Sequence, residues 1–165
     1  REYQDVPLQN VADSDIQYPE GDVEEEQEGA SYPSLSDESL DSLIRLFKDV
    51  LRDKISDVRK SDRLSSSVAR LVDLEGALGP EMQRVYKMMD REYQIPKKVL
   101  EINPGHPLLL KLSDLQDGND LARLIVEQIF DSTLLIEGLH PDPSSMIPRI
   151  YHLMEKALVE GLEDK

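Results

Sequence analysis

A chain of 165 residues is long enough for one ordinary domain with a single hydrophobic core. Its 34 acidic residues against 19 lysines and arginines give a net charge of −15, which would repel nucleic acid and anionic membranes. The absence of cysteine excludes disulfides and thiol chemistry, and no apolar run reaches the roughly 18 residues that would cross a bilayer.

The first 35 residues are predicted to be an acidic, flexible linker. Through residue 38 the chain has twelve acids against the single base Arg1, which accounts for −11 of the net charge. Three prolines and little apolar periodicity leave this segment unable to bury enough surface to offset its ordering entropy. A calcium site in the carboxylate run at 24–28 is disfavoured, because alternating ligands and a turn glycine are absent. Residues 36–165 are predicted to form the folded domain.

The folded part is predicted to begin with a helix and two strands. Ser36 has the character of an N-cap, and apolar residues then recur at helical spacing from Asp37 to about Lys54. Two short runs with rough alternation, Ile55 to Lys60 and Leu64 to Asp73, follow it. The turn-like residues between these runs favour a hairpin.

A second helix is predicted from Pro80 to about Tyr93, and one face of it is a narrow, methionine-rich apolar stripe. The spacing alone favours packing of this stripe on the protein's own sheet, as amphipathic helices usually do. The alternative is a surface that accepts varied apolar partners, for which unbranched methionine is suited. The stripe consists of Met82, Val85, Tyr86, Met89 and Tyr93.

A third strand, predicted over Lys97 to Ile102, leads into a turn with a histidine between two prolines. Asn103 is predicted to end the strand and to cap a helix whose first residue is Pro104. These features account for the geometry of the turn without any chemistry. His106 is therefore interpreted as a packed or capping residue.

No catalytic, cofactor-binding or metal-binding residues are predicted. The chain has no phosphate-binding loop and no hydrolase motif, and its three histidines lack the spacing of a metal site. The hypothesis of an enzyme that uses paired carboxylates rests on composition alone, because nothing in the sequence distinguishes one pair as acid and base.

The C-terminal third predicts helices with more apolar surface than one small domain can cover. A helix from Asp120 to about Glu137 is apolar on most sides, and a last helix follows a cap at Asp142. Because Pro148 would fall in its second turn, this helix should kink there or start at Ser144 or Ser145. A second copy of the chain is the simplest cover, giving a four-helix bundle across a homodimer. The predicted fold class is α+β, with a small mixed β-sheet and flanking helices.

Four segments carry a resemblance to a known family, and they occur in the family's order across about residues 36–160. They are "ISDVRKSDRLSSSVARLV" (55–72), "EMQRVYKMM" (81–89), "VLEINPGHPLLLKL" (99–112) and "LARLIVEQIFDSTLLIEGLHPDPSSMIPRI" (121–150). Together they resemble the C-terminal domain of the heat-shock protein 90 chaperone family, in its HtpG-type bacterial or organellar form. The acidic leader is not part of this resemblance.

The resemblance implies a homodimer. In this family the C-terminal domain is an α+β module whose last helices pair with a second protomer in a four-helix bundle. Carried onto this chain, the interface would use Leu124, Ile125, Gln128, Ile129, Ser132, Leu135, Ile147, Ile150, Tyr151, Met154 and Leu158.

The resemblance also reverses the preferred interpretation of the second helix, in which its apolar stripe packs on the protein's own sheet. That helix matches a family helix that projects into the cleft between protomers and is implicated in holding clients. The resemblance therefore implies that unfolded or partly folded clients contact Met82, Val85, Tyr86, Met89 and Tyr93.

The parent implied by the resemblance is a chaperone of the bacterial cytoplasm or of an organelle, which assists protein folding under stress. The family's ATPase lies in an N-terminal domain, so ATP and magnesium are expected there and not in this fragment. The chain ends without the Met-Glu-Glu-Val-Asp tail, so tetratricopeptide cochaperones are not expected as partners. A freestanding acidic adaptor without ATPase activity is the competing hypothesis.

Overall fold

The computed structural model describes residues 2–3, 6–7, 35–74, 76–90, 96–115 and 119–163. Within the predicted linker, two short strands, β1 (Glu2–Tyr3) and β2 (Val6–Pro7), pair antiparallel. The remainder of that linker up to residue 34 lies outside the described residues, so its flexibility stays a prediction.

The first predicted helix is confirmed as α1 (Asp37–Leu51), followed by one 3₁₀ turn (Arg52–Lys54). Its N-cap is Ser36, whose side-chain oxygen accepts a hydrogen bond from the Ser39 amide at 3.2 Å. One face of α1 enters the core, with the buried side chains Leu40, Leu43, Phe47 and Leu51.

A mixed three-stranded sheet confirms the predicted α+β class, but the predicted hairpin is wrong. The strands are β3 (Ile55–Lys60), β4 (Ala69–Val72) and β5 (Lys98–Ile102), in the order β3–β5–β4. Strand β5 runs parallel to β3 and antiparallel to β4. Every residue of β5 is buried, so this strand takes the central position, where both edges are hydrogen-bonded.

The turn after β5 leads into α3 (Pro107–Ser113), which begins later than predicted. Asn103 is not its cap, because α3 begins only at Pro107. The Asn103 Oδ1 accepts a hydrogen bond from the Gly105 amide at 3.1 Å, and the side-chain amide donates to the Ser67 carbonyl at 3.2 Å, so this buried side chain links the turn to the β3–β4 connection. His106 is the N-cap instead, and its Nδ1 accepts a hydrogen bond from the Leu108 amide at 3.1 Å. The interpretation of this histidine as a packed or capping residue is confirmed.

Two long helices complete the chain, α4 (Asp120–Ile136) and α5 (Ile147–Glu163). A 3₁₀ turn (Pro143–Met146), capped by Asp142, precedes α5. Pro148 is therefore the second residue of α5, where a missing N–H removes no intrahelical hydrogen bond. The helix starts after both predicted start positions, and the proline needs no kink.

The hydrophobic core lies between α1, α4 and one face of the sheet. Its fully buried side chains include Phe47, Leu100 and Val126. Helix α5 lies outside this core and packs along α4. No helix within the described ranges is long and apolar enough to cross a membrane.

Candidate protein-binding surfaces

Helix α2 (Pro80–Met89) presents its apolar side outward. Among its side chains that the structure describes, only Gln83 is buried, at 0% exposure. Met88 and Met89 are 86% and 80% exposed. An exposed apolar face of this kind marks an interaction surface rather than a core contact. The face, called the α2 stripe below, consists of Met82, Val85, Tyr86, Met88 and Met89.

The inward side of α2 is held to the sheet by polar contacts. The Gln83 side-chain amide donates to Asp73 Oδ1 at 2.8 Å and also to the Leu78 carbonyl. Asp73 in turn forms a buried ion pair with Lys98 of β5. Buried charges persist in a fold when they are paired and hydrogen-bonded, and both conditions hold here.

A second polar contact holds the C-terminal half of α2. Lys87 Nζ donates to the carbonyls of Leu139 and His140 at 2.8 and 2.6 Å, in the turn that follows α4. Burial of this side chain lowers the pKa of Lys87 below its ordinary value. With polar groups on its inner side, α2 leaves the stripe facing outward.

A second apolar surface covers α5 and the end of α4. Tyr151 and Leu158 are 62% and 69% exposed, and they lie on one face of α5 at helical spacing. No described segment of the chain covers this face. The surface, called the α4–α5 surface below, consists of Leu135, Ile136, Ile147, Tyr151, Met154, Leu158 and Val159.

Helix α5 is fixed to α4 by Arg149. Its guanidinium donates to Gln128 Oε1 at 3.0 Å, to Glu127 Oε2 at 3.2 Å and to Asp131. His140 Nε2 lies 3.6 Å from the other Asp131 oxygen. A multidentate arginine fixes orientation as well as distance, so Arg149 holds the two helices in a defined arrangement.

A buried carboxylate joins the three strands of the sheet, and the sequence analysis missed it. Glu101, only 3% exposed, is in register with Arg59 of β3 and Arg70 of β4. Its oxygens accept from Arg59 at 2.8 Å and from Arg70 at 2.6 Å. Burial alone would raise the pKa of Glu101, but hydrogen bonds from Arg70 and Arg59 hold it below its ordinary value. The register of the strands was the missing information.

Among the described residues, no group of three or more histidine, aspartate or glutamate side chains is placed to hold a metal ion. The α2 stripe and the α4–α5 surface are the candidate functional sites of the described residues.

Comparison with known proteins gives the family. A family model described as Hsp90 protein matches residues 1–165. The chain belongs to the Hsp90 family. It is 36% identical over 149 residues to the chaperone protein HtpG of Oleidesulfovibrio alaskensis, a match that covers 88% of this chain and 23% of the relative. It is 35% identical over 160 residues to the HtpG of Desulfitobacterium hafniense, covering 96% and 25%.

These figures confirm the resemblance at the level of the Hsp90 family. The chain spans about a quarter of the length of the HtpG relatives that it matches. The family match includes the first 35 residues, which the four recognised segments left out.

Four of the five residues expected to contact Hsp90 clients, Met82, Val85, Tyr86 and Met89, are exposed on the α2 stripe. Their exposure favours an interaction surface over the alternative in which the stripe packs on the sheet. The fifth, Tyr93, lies outside the described residues, and α2 ends at Met89, before the predicted end. Met88, which also belongs to the α2 stripe, was missed because it falls outside the helical spacing of the predicted apolar residues.

The residues expected at an Hsp90 dimer interface divide by exposure. The expectation that Ile129 lies at the interface is wrong. This residue is 4% exposed and lies in the chain's own core, with no surface left for a second copy. The expectation also omitted the exposed Ile136 and Val159. Five residues are half-buried: Leu124, Ile125, Gln128, Ser132 and Ile150. The other five are exposed: Leu135, Ile147, Tyr151, Met154 and Leu158.

Proposed function

We propose that the chain is the C-terminal homodimerisation and client-contact module of an ATP-dependent HtpG-type chaperone that assists protein folding. The observation that carries this proposal is the α4–α5 surface, a set of seven exposed apolar side chains on a chain of net charge −15. An apolar face of this kind on a highly charged protein is typical of a protein–protein interface.

A second copy of the chain is the occupant that suits the α4–α5 surface. Two antiparallel helices from each of two copies form a closed four-helix bundle, in which each apolar face covers the other. The Arg149 contacts support this arrangement, because they hold α4 and α5 together before a partner arrives.

The α2 stripe supports the client-contact part of the proposal. Methionine side chains adapt to irregular apolar partners, and Met82, Met88 and Met89 are all exposed on one helix. A surface that repacks in this way suits clients that share no sequence.

The remaining functions belong to the parent protein. ATP and magnesium would be bound and ATP hydrolysed in the parent's N-terminal domain, outside this fragment. The proposed setting is the bacterial cytoplasm or an organelle, since the relatives are bacterial HtpG proteins.

Mass in solution tests the dimer. Light scattering behind size exclusion should give twice the chain mass of 18.8 kDa at micromolar concentration. Tyr151→Glu combined with Met154→Glu should give the monomer mass, because two carboxylates would be buried without partners at the bundle seam. Lys156→Glu, on the other side of α5, is the matched control and should remain dimeric. A monomeric wild-type chain would favour the freestanding adaptor instead.

A further inference from the structure

Helix α2 meets the C-terminal helices at the turn after α4. Lys87 Nζ contacts the carbonyls of Leu139 and His140 in that turn, at 2.8 and 2.6 Å. Gly138 in the same turn has a φ of +69°, and a Cβ added there would lie 3.2 Å from Cδ of Arg84. Two independent contacts therefore place α2 directly against this turn.

The turn is hydrogen-bonded to the end of α4. The amides of Leu139 and His140 both donate to the Leu134 carbonyl, at 2.9 and 3.2 Å. Leu135 and Ile136, which belong to the α4–α5 surface, occupy the last turn of the same helix. A shift of the Lys87 contact would therefore be transmitted to part of the α4–α5 surface.

The contacts of α2 with the sheet and the turn described above are polar. Gln83 is its only buried side chain among those described, and it bonds to the sheet, while Lys87 bonds to the turn. An element with few buried apolar contacts opens at low cost in free energy. Opening of α2 would break the contact of Lys87 with the turn.

We propose that Lys87 is a positioning residue that couples occupancy of the α2 stripe to pairing through the α4–α5 surface. This inference rests on the proposed function. A client on the stripe favours the ordered, attached α2, and a second copy favours the ordered end of α4. Both ligands thereby favour the same state of the Lys87 contact, so each strengthens the binding of the other.

The experiment measures the dimer dissociation constant by sedimentation, with and without a saturating unfolded protein. The probe is reduced, carboxamidomethylated α-lactalbumin, which cannot refold. It should lower the wild-type constant at least about fivefold, the lower end of ordinary coupling between sites. In Lys87→Met this effect should fall below about twofold, while circular dichroism and each separate binding reaction persist. Lys111→Met, on the exposed face of α3, is the matched control and should keep the wild-type coupling.

Failure of the inference is distinguishable from failure of the proposed function. Equal coupling in wild type and Lys87→Met would overturn the inference, as would a wild type that binds the probe and pairs without coupling. Both results leave the proposed function in place, whereas a wild type that neither pairs nor binds the probe overturns that function. If Lys87→Met loses its helical signal, Lys87→Gln replaces it, because the shorter amide does not span both carbonyls. Coupling below twofold then supports the inference, and wild-type coupling contradicts it.

Discussion

Three buried polar side chains, Gln83, Lys98 and Glu101, determine how the elements of this chain meet. The apolar periodicity of the sequence predicts that each of these side chains is exposed to solvent. Their burial depends on partners distant in sequence, such as Arg59 and Arg70 for Glu101. Helical spacing therefore found the apolar stripe on α2 but not the side on which the helix is anchored.

Replacing Glu101 with glutamine tests the strand-joining role of the carboxylate. The change leaves the Arg59 and Arg70 guanidinium groups close together without a counter-charge. Removing one partner of a buried pair costs about 3–5 kcal/mol. Because both arginines are partly exposed, we expect a loss of about 2–3 kcal/mol in the free energy of unfolding, measured with urea at pH 7.

The stability difference between wild type and Glu101→Gln should depend on pH. The pKa of Glu101 is held below its ordinary 4.5, so the folded state keeps the charge at a pH where the unfolded chain takes up a proton. The stabilisation is therefore complete above about pH 4.5 and is lost as the pH falls through the folded-state pKa. The difference between wild type and Glu101→Gln should shrink between pH 5 and pH 3. Asp62→Asn, at an exposed ion pair with Lys60, should change stability by less than about 0.5 kcal/mol throughout.

At the scale of elements, helices were predicted more accurately than strand pairing. Caps and apolar spacing are local, so α1 and α4 were placed within a few residues of their observed ends. Pairing is not local, and adjacency in sequence suggested that β3 and β4 form a hairpin. Strand β5 is buried along its whole length and takes the central position in the sheet. Its apolar sequence indicates this position only once the helices around it are known.

The proposed role of the α2 stripe in contacting clients leads to a prediction at this scale. Replacing Met82 and Met89 together with serine should weaken binding of the unfolded probe about tenfold or more, because each buried methionine side chain contributes about 1.5–3 kcal/mol. Fluorescence anisotropy of labelled probe measures this affinity. Helical content and dimer mass should not change, since both side chains are exposed. Glu81→Gln on the same helix is the control, and equal weakening by this variant would argue against an apolar contact.

At the scale of the whole molecule, the proposed pairing of two copies would have to overcome the repulsion between their net charges. Each chain has a net charge of −15, so two copies repel each other at a distance while their apolar surfaces attract at contact. Composition alone predicted the repulsion from nucleic acid and anionic membranes. The proposed pairing would depend instead on α5, which lies outside the core with exposed apolar side chains on one face.

Salt should therefore strengthen the dimer. Raising the ionic strength shortens the screening length from about 14 Å at 0.05 M to about 4 Å at 0.5 M, which weakens repulsion between the acidic chains. We expect the dissociation constant measured by sedimentation to fall about threefold or more over this range. A constant that rises with salt would indicate an interface held by ion pairs and would contradict the apolar bundle.

The order of strands in the sheet also governs how the chain folds during synthesis. Strands β3 and β4 have no hydrogen-bonded partner in the sheet until β5 has been translated, because β5 separates them. As the chain leaves the ribosome, the buried residue Leu71 therefore lacks its neighbour Leu100 in the sheet until β5 emerges. Closing a parallel pair across the intervening segment is slow compared with hairpin formation. This member of a chaperone family thus has an aggregation-prone interval of its own as each chain is synthesised.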